Sequence, residues 1–499
     1  MKIIEMLVVL LVSMLAASCG GDSDGDADAD SDMDGDGDSD AESEGDADSH
    51  GDGGSDADAN ADSDPDGDTV EQTVDAYFRD QIGVTLDDVY WGEFHAHTTY
   101  SIDAAGCTAV YRDDTLDPPD AYAFARETSN LDFVCLSDHA EEPNPTARPP
   151  EHRRDRLSVW QSEIRHAMDA NVEDPAAPDA LIVFAGWEYT NTAGGEGIGS
   201  ETGFGHKNVV FRDLDPEVLP EARYGAFLVD ETVVAEDATA LWAALDDYRG
   251  TAFTIVHTPA MIGGGEDSID NHSTDWDYMD SDFVRHVEVL SKWGTWEGNA
   301  PDAAGCDDTD VPLDAMPEIT DEQRTIRTTL YERWIEEGDP RFVLAFVGGT
   351  DTHAGRPASE AMDECGFPNH GGMTGVVASV LGRAELWEAL AQRHTLAATT
   401  GNQLPVLLAV ETGGTSLFMG EQGDHDGSVR VRVLAGAAAD EVHLVVDGCL
   451  VTTVEAREID VTLEVAPGRH FVYARALDVR SEDDHRQSWS SPVYLGTPE

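Results

Sequence analysis

Basic residues are scarce: 29 Lys and Arg stand against 101 Asp and Glu in 499 residues, a formal net charge of −72. With no basic stripe to offset phosphate repulsion, the composition excludes a nucleic-acid-binding protein. Long apolar runs are missing too, since the run Met6 to Ala17 falls short of the ~20 residues that span a bilayer. Aromatic side chains, Lys and Arg are all absent from residues 20–68, where 21 acidic residues alternate with Ser, Gly and Ala. Such a segment cannot bury enough apolar surface to offset the entropy of ordering, so it is expected to be a disordered tether. Its coil span would be roughly 35–42 Å, and charge repulsion would extend it. Two stretches, from Asp30 and from Asp62, begin like calcium-binding loops, but Ala41 and Thr73 stand where the twelfth-position Glu belongs. The chain as a whole, with 499 residues of which 40% are hydrophobic, is long enough for more than one packed domain, and a single small module is ruled out.

The first residues address the protein out of the cytoplasm. Lys2 precedes the apolar run, and Leu15-Ala16-Ala17-Ser18-Cys19 closes it with small residues before a cysteine. This pattern resembles a bacterial lipoprotein signal. The resemblance implies cleavage before Cys19, lipidation of its thiol and new amino group, and anchoring to a membrane through several acyl chains. Gly20 leans toward an outer-membrane or surface location; an ordinary secretory signal with an incidental cysteine is the alternative. Cys107, Cys135, Cys306, Cys365 and Cys449 are then left, an odd number for an oxidising compartment, so at least one thiol stays free. Cys135, inside an apolar run, reads as a core residue; Cys306 and Cys365 lie in polar loops where a bridge is open but undecided.

Short apolar runs recur at 89–94, 131–136, 181–185, 252–256, 284–290, 342–347 and 374–380, separated by amphipathic stretches at 120–128, 156–168, 238–248, 321–337 and 384–393. Alternation of this kind predicts an α/β fold, a parallel sheet with crossover helices, and seven strands favour closure into a barrel. After about residue 401 the helical stretches stop. Strands at 404–411, 428–435, 441–446, 460–465, 471–478 and 492–495, divided by Gly or Asp turns, suggest an all-β sandwich. The expected organisation is a signal peptide over 1–18, a lipidated tether over 19–68, a barrel domain over 69–402 and a sandwich over 403–499.

Chemistry gathers where the strands end. His95-Ala96-His97 follows the first strand, and alternate residues of a strand point to one side, so both imidazoles can reach one ion. Asp351-Thr352-His353 repeats that spacing. Asp138-His139 and His257 close two other strands, Glu188 follows a third, and His206-Lys207 precedes an apolar segment. Any one of these histidines alone reads as an ordinary surface or core imidazole. Their recurrence at strand ends predicts a polynuclear metal site at one mouth of the barrel.

Taken together, these residues resemble the PHP superfamily, named for polymerase-associated and histidinol-phosphatase domains. His95 and His97 match its opening His-x-His, Asp103 the acid six residues on, Ser137-Asp138-His139 the second motif, Glu188 and His206 the third, His257 the isolated histidine, and Gly349-Thr350-Asp351-Thr352-His353 the last. The match spans roughly 88 to 402. Tyr90-Trp91-Gly92-Glu93, the stretch 287–291 with Gly294 and Glu297, Arg356-Pro357 and Ser490-Ser491-Pro492 resemble a secreted branch known chiefly as a domain of unknown function. The resemblance implies a distorted (β/α)7 barrel with one ion on His95, His97, Glu188 and Asp351. Glu188 would bridge to a second ion on His206 and His257, and a third would sit on Asp103, His139 and His353.

Such ligands suit two or three Zn, Mn or Fe ions. A hydroxide bridging two of them would attack a small phosphate ester. Arg356 could grip a phosphate or carboxylate bidentately, Lys207 could face the mouth, and Glu288 could order a ligand or bind substrate, while Asp138 would orient His139. Trp187, Trp293 and Trp296 read as wall packing. Two other functions stay open: an amidohydrolase-like metal hydrolase, which usually bridges its metals with a carbamylated Lys, and a non-catalytic surface binding lipoprotein.

Overall fold

Val, Ile, Phe and Trp crowd the short runs that become strands, and they do so because β-branched and aromatic side chains pack well on a pleated, buried surface. The computed structural model describes residues 72–101, 115–140, 156–191, 205–225, 235, 237–260, 273–306, 324–359, 370–401, 403–480 and 485–496. Thr73–Glu499 belongs to one compact unit; Ala17–Gln72 is a second, of which only Gln72 is among the described residues. The strands of the first part are β1 (Val89–Glu93), β2 (Phe133–Cys135), β3 (Ile182–Asn191), β4 (Gly205–Phe211), β5 (Ala252–His257), β6 (Val284–Ser291), β7 (Gly294–Thr295), β8 (Ala345–Gly348), β9 (Gly372–Val377) and β10 (Thr395–Thr399). Ten more follow: β11 (Val406–Thr412), β12 (Thr415–Phe418), β13 (Gln422–Gly423), β14 (Ser428–Ala435), β15 (Glu441–Val446), β16 (Cys449–Val454), β17 (Glu458–Glu464), β18 (His470–Val479), β19 (His485–Ser490) and β20 (Val493–Leu495). Helices Pro118–Glu127, Arg156–Ala170, Ala238–Ala244 and Arg383–Ala391 stand near their expected places.

The sheet is mixed, which corrects the expectation of a parallel one. β1, β2 and β3 are parallel neighbours, as are β5, β6 and β8. Between these two groups β4 runs antiparallel to both β3 and β5, and on the other side β9 runs antiparallel to β1. The reversal matters for function. It places His206, at the start of β4, opposite Thr190 near the end of β3 and His257 at the end of β5. Among the described residues no ladder joins β8 to β9, so the closed barrel is not found; the approach there is made by the Thr374 hydroxyl, which donates to the Gly348 carbonyl at 2.8 Å. Close strand contact depends on glycine at Gly92, where an added Cβ would lie 2.2 Å from the Phe133 carbonyl oxygen.

Beyond residue 402 the strands divide between two sheets. β12, β11, β14 and β17 form a separate antiparallel sheet, whereas β18, β19 and β20 continue the large one, because β19 pairs with β10. Leu408, Val431 and Val433 of the first and Val442, Leu444 and Val472 of the second share one apolar cluster. A disulfide ties Cys306 to Cys449, and Cys135 is buried and free. Cys107 and Cys365 lie outside the described residues.

A buried ion pair also joins the two parts. Glu297, just after β7, receives two hydrogen bonds from Arg327 at 2.8 and 3.0 Å and one from Trp489 of β19 at 2.8 Å. The Tyr473 hydroxyl of β18 donates to it as well, and Arg475 stands 3.6 Å away. Burial pushes the Glu297 carboxyl up, but Arg327 and Arg475 outweigh it and bring it down to about 2. Removing one partner of such a buried pair leaves the other charge uncompensated, so Glu297→Gln should destabilise the fold by about 3 kcal/mol at neutral pH. The unfolded carboxyl, near 4.5, binds its proton first as pH falls. The stabilisation is therefore present above that value and lost on the way down to about 2. Urea unfolding of the wild type and the variant at neutral and acid pH should give a stability gap that narrows as the pH falls through this window.

Candidate metal centre

The site is assembled by backbone contacts that prolong the strands past their ends. His95-Ala96-His97, beyond β1, runs beside Asp351-Thr352-His353, beyond β8: the amide of Asp351 donates to the His95 carbonyl at 2.9 Å and that of His97 to the Thr352 carbonyl at 2.8 Å. The Ser137 amide donates to Ala96, and a further bridge joins His139 to Glu188. Four segments distant in sequence thereby meet at one edge.

Four donor atoms converge there. His95 Nε2 lies 3.1 Å from Glu188 Oε2 and 3.2 Å from Asp351 Oδ1; His97 Nε2 lies 3.0 Å from each of the same oxygens; the two nitrogens are 3.3 Å apart. Atoms held at the ~2.0–2.2 Å at which zinc takes imidazole nitrogen and carboxylate oxygen stand roughly 3.3–3.6 Å apart in a tetrahedral site, close to these five separations. All four residues are buried. Three further groups share members with this one, among them His95, His257 and Glu288. Glu188, His206 and His257 form the second, with His206 Nδ1 2.5 Å from Glu188 Oε1. The third is His97, His139 and His353, in which the His97 ring is stacked between the other two at centroid distances of 4.7 and 4.5 Å. Glu188 thus turns one oxygen to each of the first two groups. Asp351 does likewise, its Oδ2 lying 3.1 Å from His257 Nε2.

Partners on the far side of the rings fit the same chemistry. A metal-binding histidine usually spends its other nitrogen on the protein, which fixes the ring. Here Nδ1 of His95 and of His257 each lie 2.8 Å from Glu288, that of His97 3.1 Å from Ser101 Oγ, that of His139 2.6 Å from Thr190 Oγ1, and that of His353 3.0 Å from the Asp351 carbonyl. His206 departs from the pattern by turning Nδ1 toward the cluster. Burial pushes the Glu188 carboxyl up, but His139, His95 and His206 outweigh it and hold it well below the usual range; His95 and His257 do the same for Asp351. Conversely, burial pulls His95 down, yet Asp351, Glu288 and Glu188 raise it well above its ordinary value.

Several expected residues stand elsewhere than the sequence suggested. Lys207 follows His206 on β4 and so occupies the opposite face of the strand; it is buried there, brought down to about 7 by burial, with Asp275 acting against the shift. Glu288 sits behind two imidazoles, the place from which it would order ligands, one of the two roles expected of it. Arg356, expected to grip an anionic group rather than a metal, is half-buried. Asp138 takes hydrogen bonds from the Thr98 amide at 2.6 Å and hydroxyl at 2.7 Å, so it secures the turn after His97, while Thr190 orients His139. Trp187 and Trp296 are core residues, but the Trp293 indole donates to Asp351 Oδ2 at 2.5 Å. Asp103 lies outside the described residues.

Two contributors carried no signal of their own in the sequence. Glu93, at the end of β1, is fully buried and accepts from the Thr350 amide and hydroxyl and the Ala358 amide; burial brings its carboxyl up to about 7. This grip restrains the segment in which Asp351 takes φ 54, a left-handed conformation that is costly for a residue with a side chain and tends to persist where the surroundings over-determine it. Asn208, across from Glu188 on β4, is fully buried with an unpartnered amide. The glutamate appeared only as part of a four-residue likeness, and the asparagine not at all.

Fold and site together define a mixed α/β protein with a candidate polynuclear metal centre. A family model described as a protein of unknown function, DUF3604, matches residues 84–143, a stretch that includes His95, His97 and His139. Among curated proteins none matches the chain. A solved structure from Bacteroides vulgatus ATCC 8482, described as a two-domain protein containing a predicted PHP-like metal-dependent phosphoesterase, aligns with a TM-score of 0.36 and 16% identity, covering 81% of this chain and 96% of that one.

Zinc added to chelator-stripped protein at 100 times its Kd should raise stability by about 2.7 kcal/mol, and His95→Ala should abolish most of that gain in a thermal melt. Because ligands must lose their protons, and the carboxylates hold His95 protonated above its ordinary value, affinity should rise with pH, about tenfold per unit for each proton displaced. Calorimetric titrations at pH 6 and pH 8 should show the tighter binding at the higher value.

Proposed function

We propose that this protein is an exported, metal-dependent phosphoesterase of the PHP type, its sheet a distorted barrel, acting on a small phosphorylated substrate. The convergence of His95, His97, Glu188 and Asp351 on one position carries the reading. Sharing of His97, His95, Glu188 and His257 among donor groups supports adjacent cations rather than a lone ion. Adjacent cations suit a phosphoryl group, which presents several oxygens to be neutralised at once. When bound, the ions would lower the pKa of coordinated water toward neutrality and stabilise the leaving oxygen.

The protein's own part is placement. Glu188 and Asp351 span the first two positions, while His139 and His353, with Asp103, would hold a third. Trp293 keeps Asp351 turned toward His257, and Arg356 would take an anionic group of the substrate. The bridging donor is the carboxylate Glu188, and Lys207 stands on the opposite face of its strand, an arrangement that favours this reading over an amidohydrolase-like one. Cys19, lipidated, would anchor the enzyme to the outer membrane or cell surface through the acidic tether.

Elemental analysis of the purified protein, with a panel of phosphomonoesters and phosphodiesters, tests this. Turnover should be lost on chelation and restored by Zn, Mn or Fe, and His95→Ala should lower kcat/KM on the order of 10³-fold. Tightly held metal with no turnover on any ester would transfer the case to a binding lipoprotein. Full activity in His95→Ala would dismiss the site.

A further inference from the structure

We infer that Glu288 couples two cation positions by holding one imidazole of each with a single carboxylate, and that Gly349 is bare of a side chain to make room for it. The inference rests on the metal-centre reading above. Glu288 lies on β6 and is 1% exposed. Its Oε2 is 2.8 Å from His95 Nδ1 and its Oε1 2.8 Å from His257 Nδ1. With both Nδ1 atoms occupied, each ring presents Nε2 to the cluster: His95 toward Glu188 and Asp351 Oδ1, His257 toward Asp351 Oδ2. His95 belongs to the first donor group and His257 to the second, and the two also form a group with Glu288 itself. The two rings meet edge to face, with centroids 4.1 Å apart and planes at 82°, so a rotation of either displaces the other. A carboxylate is needed because two ring N–H groups require two acceptors, and an amide offers one.

Gly349 supplies independent support. A Cβ added there would lie 2.5 Å from Glu288 Oε2 and 2.6 Å from the His95 Cβ. The residue is not among those with positive φ, so its backbone conformation does not call for glycine. Space for the Glu288–His95 contact does.

Calorimetric zinc titration of the chelator-stripped full chain tests the coupling, with elemental analysis for stoichiometry and circular dichroism for folding. The wild type should take up at least two ions. Glu288→Gln should weaken both by about 10–100-fold, the range for residues that orient metal ligands. Gly349→Ala removes no donor atom but crowds the Glu288–His95 contact, so it serves also if Glu288→Gln fails to fold; it should weaken zinc uptake in the same direction. Unchanged affinities in both folded variants would overturn the coupling and leave the metal centre standing. Loss of one ion while the other keeps its wild-type affinity would make Glu288 a ligand of its own ion and overturn the coupling too. A wild type that takes up no zinc would overturn both readings.

Discussion

Everything at the site depends on three carboxylates, Glu188, Glu288 and Asp351, being held out of water within reach of one another. Unpaired, each would carry a large desolvation penalty. Imidazoles on every side relieve that penalty, and the resulting arrangement is poised for cations: negative oxygens facing inward, ring nitrogens turned toward the same points, and few protein donors left to satisfy them. The cluster is thus a place where the free energy of folding is spent on binding readiness, as polar groups buried at functional sites commonly are.

Backbone topology makes that crowding possible. Parallel strands bring β1, β2, β3, β5 and β8 to one edge, and the inverted β4 adds His206 from its first turn of chain rather than its last. Short bridges beyond the strand ends then draw residues 95–97, 137–139, 188 and 351–353 into contact. Glu93 reinforces the left-handed turn at Asp351 from beneath. Rigid strand ends, rather than long loops, position most of the donors.

The strands after residue 402 give the edge its backing. β19 extends the sheet beyond β10, the Cys306–Cys449 disulfide closes a span of 143 residues, and Glu297 gathers Arg327, Tyr473, Arg475 and Trp489 around one buried charge. Glu297 lies only two residues past β7, and the turn between β6 and β7 carries Trp293, the donor to Asp351. Anchoring of the C-terminal strands and orientation of the site therefore pass through one short hairpin.

How much of this was legible varies with the range of the interaction. Residues two apart on a strand share a face whatever the surroundings, so His95 with His97 and Asp351 with His353 could be singled out from spacing alone, and the likeness to known motifs grouped Glu188, His206 and His257 with them. Apolar runs located most strands. Direction and partnership were another matter: the antiparallel course of β4, the missing β8–β9 ladder, the pairing of β19 with β10 and the choice of Cys449 as the partner of Cys306 all rest on register between segments far apart in the chain. So do the contacts of Glu288, Trp293, Asp138 and Lys207, because which group a side chain meets across a sheet is set by where the neighbouring strand happens to stop. Local chemistry is written in the order of residues, and its geometry waits on packing.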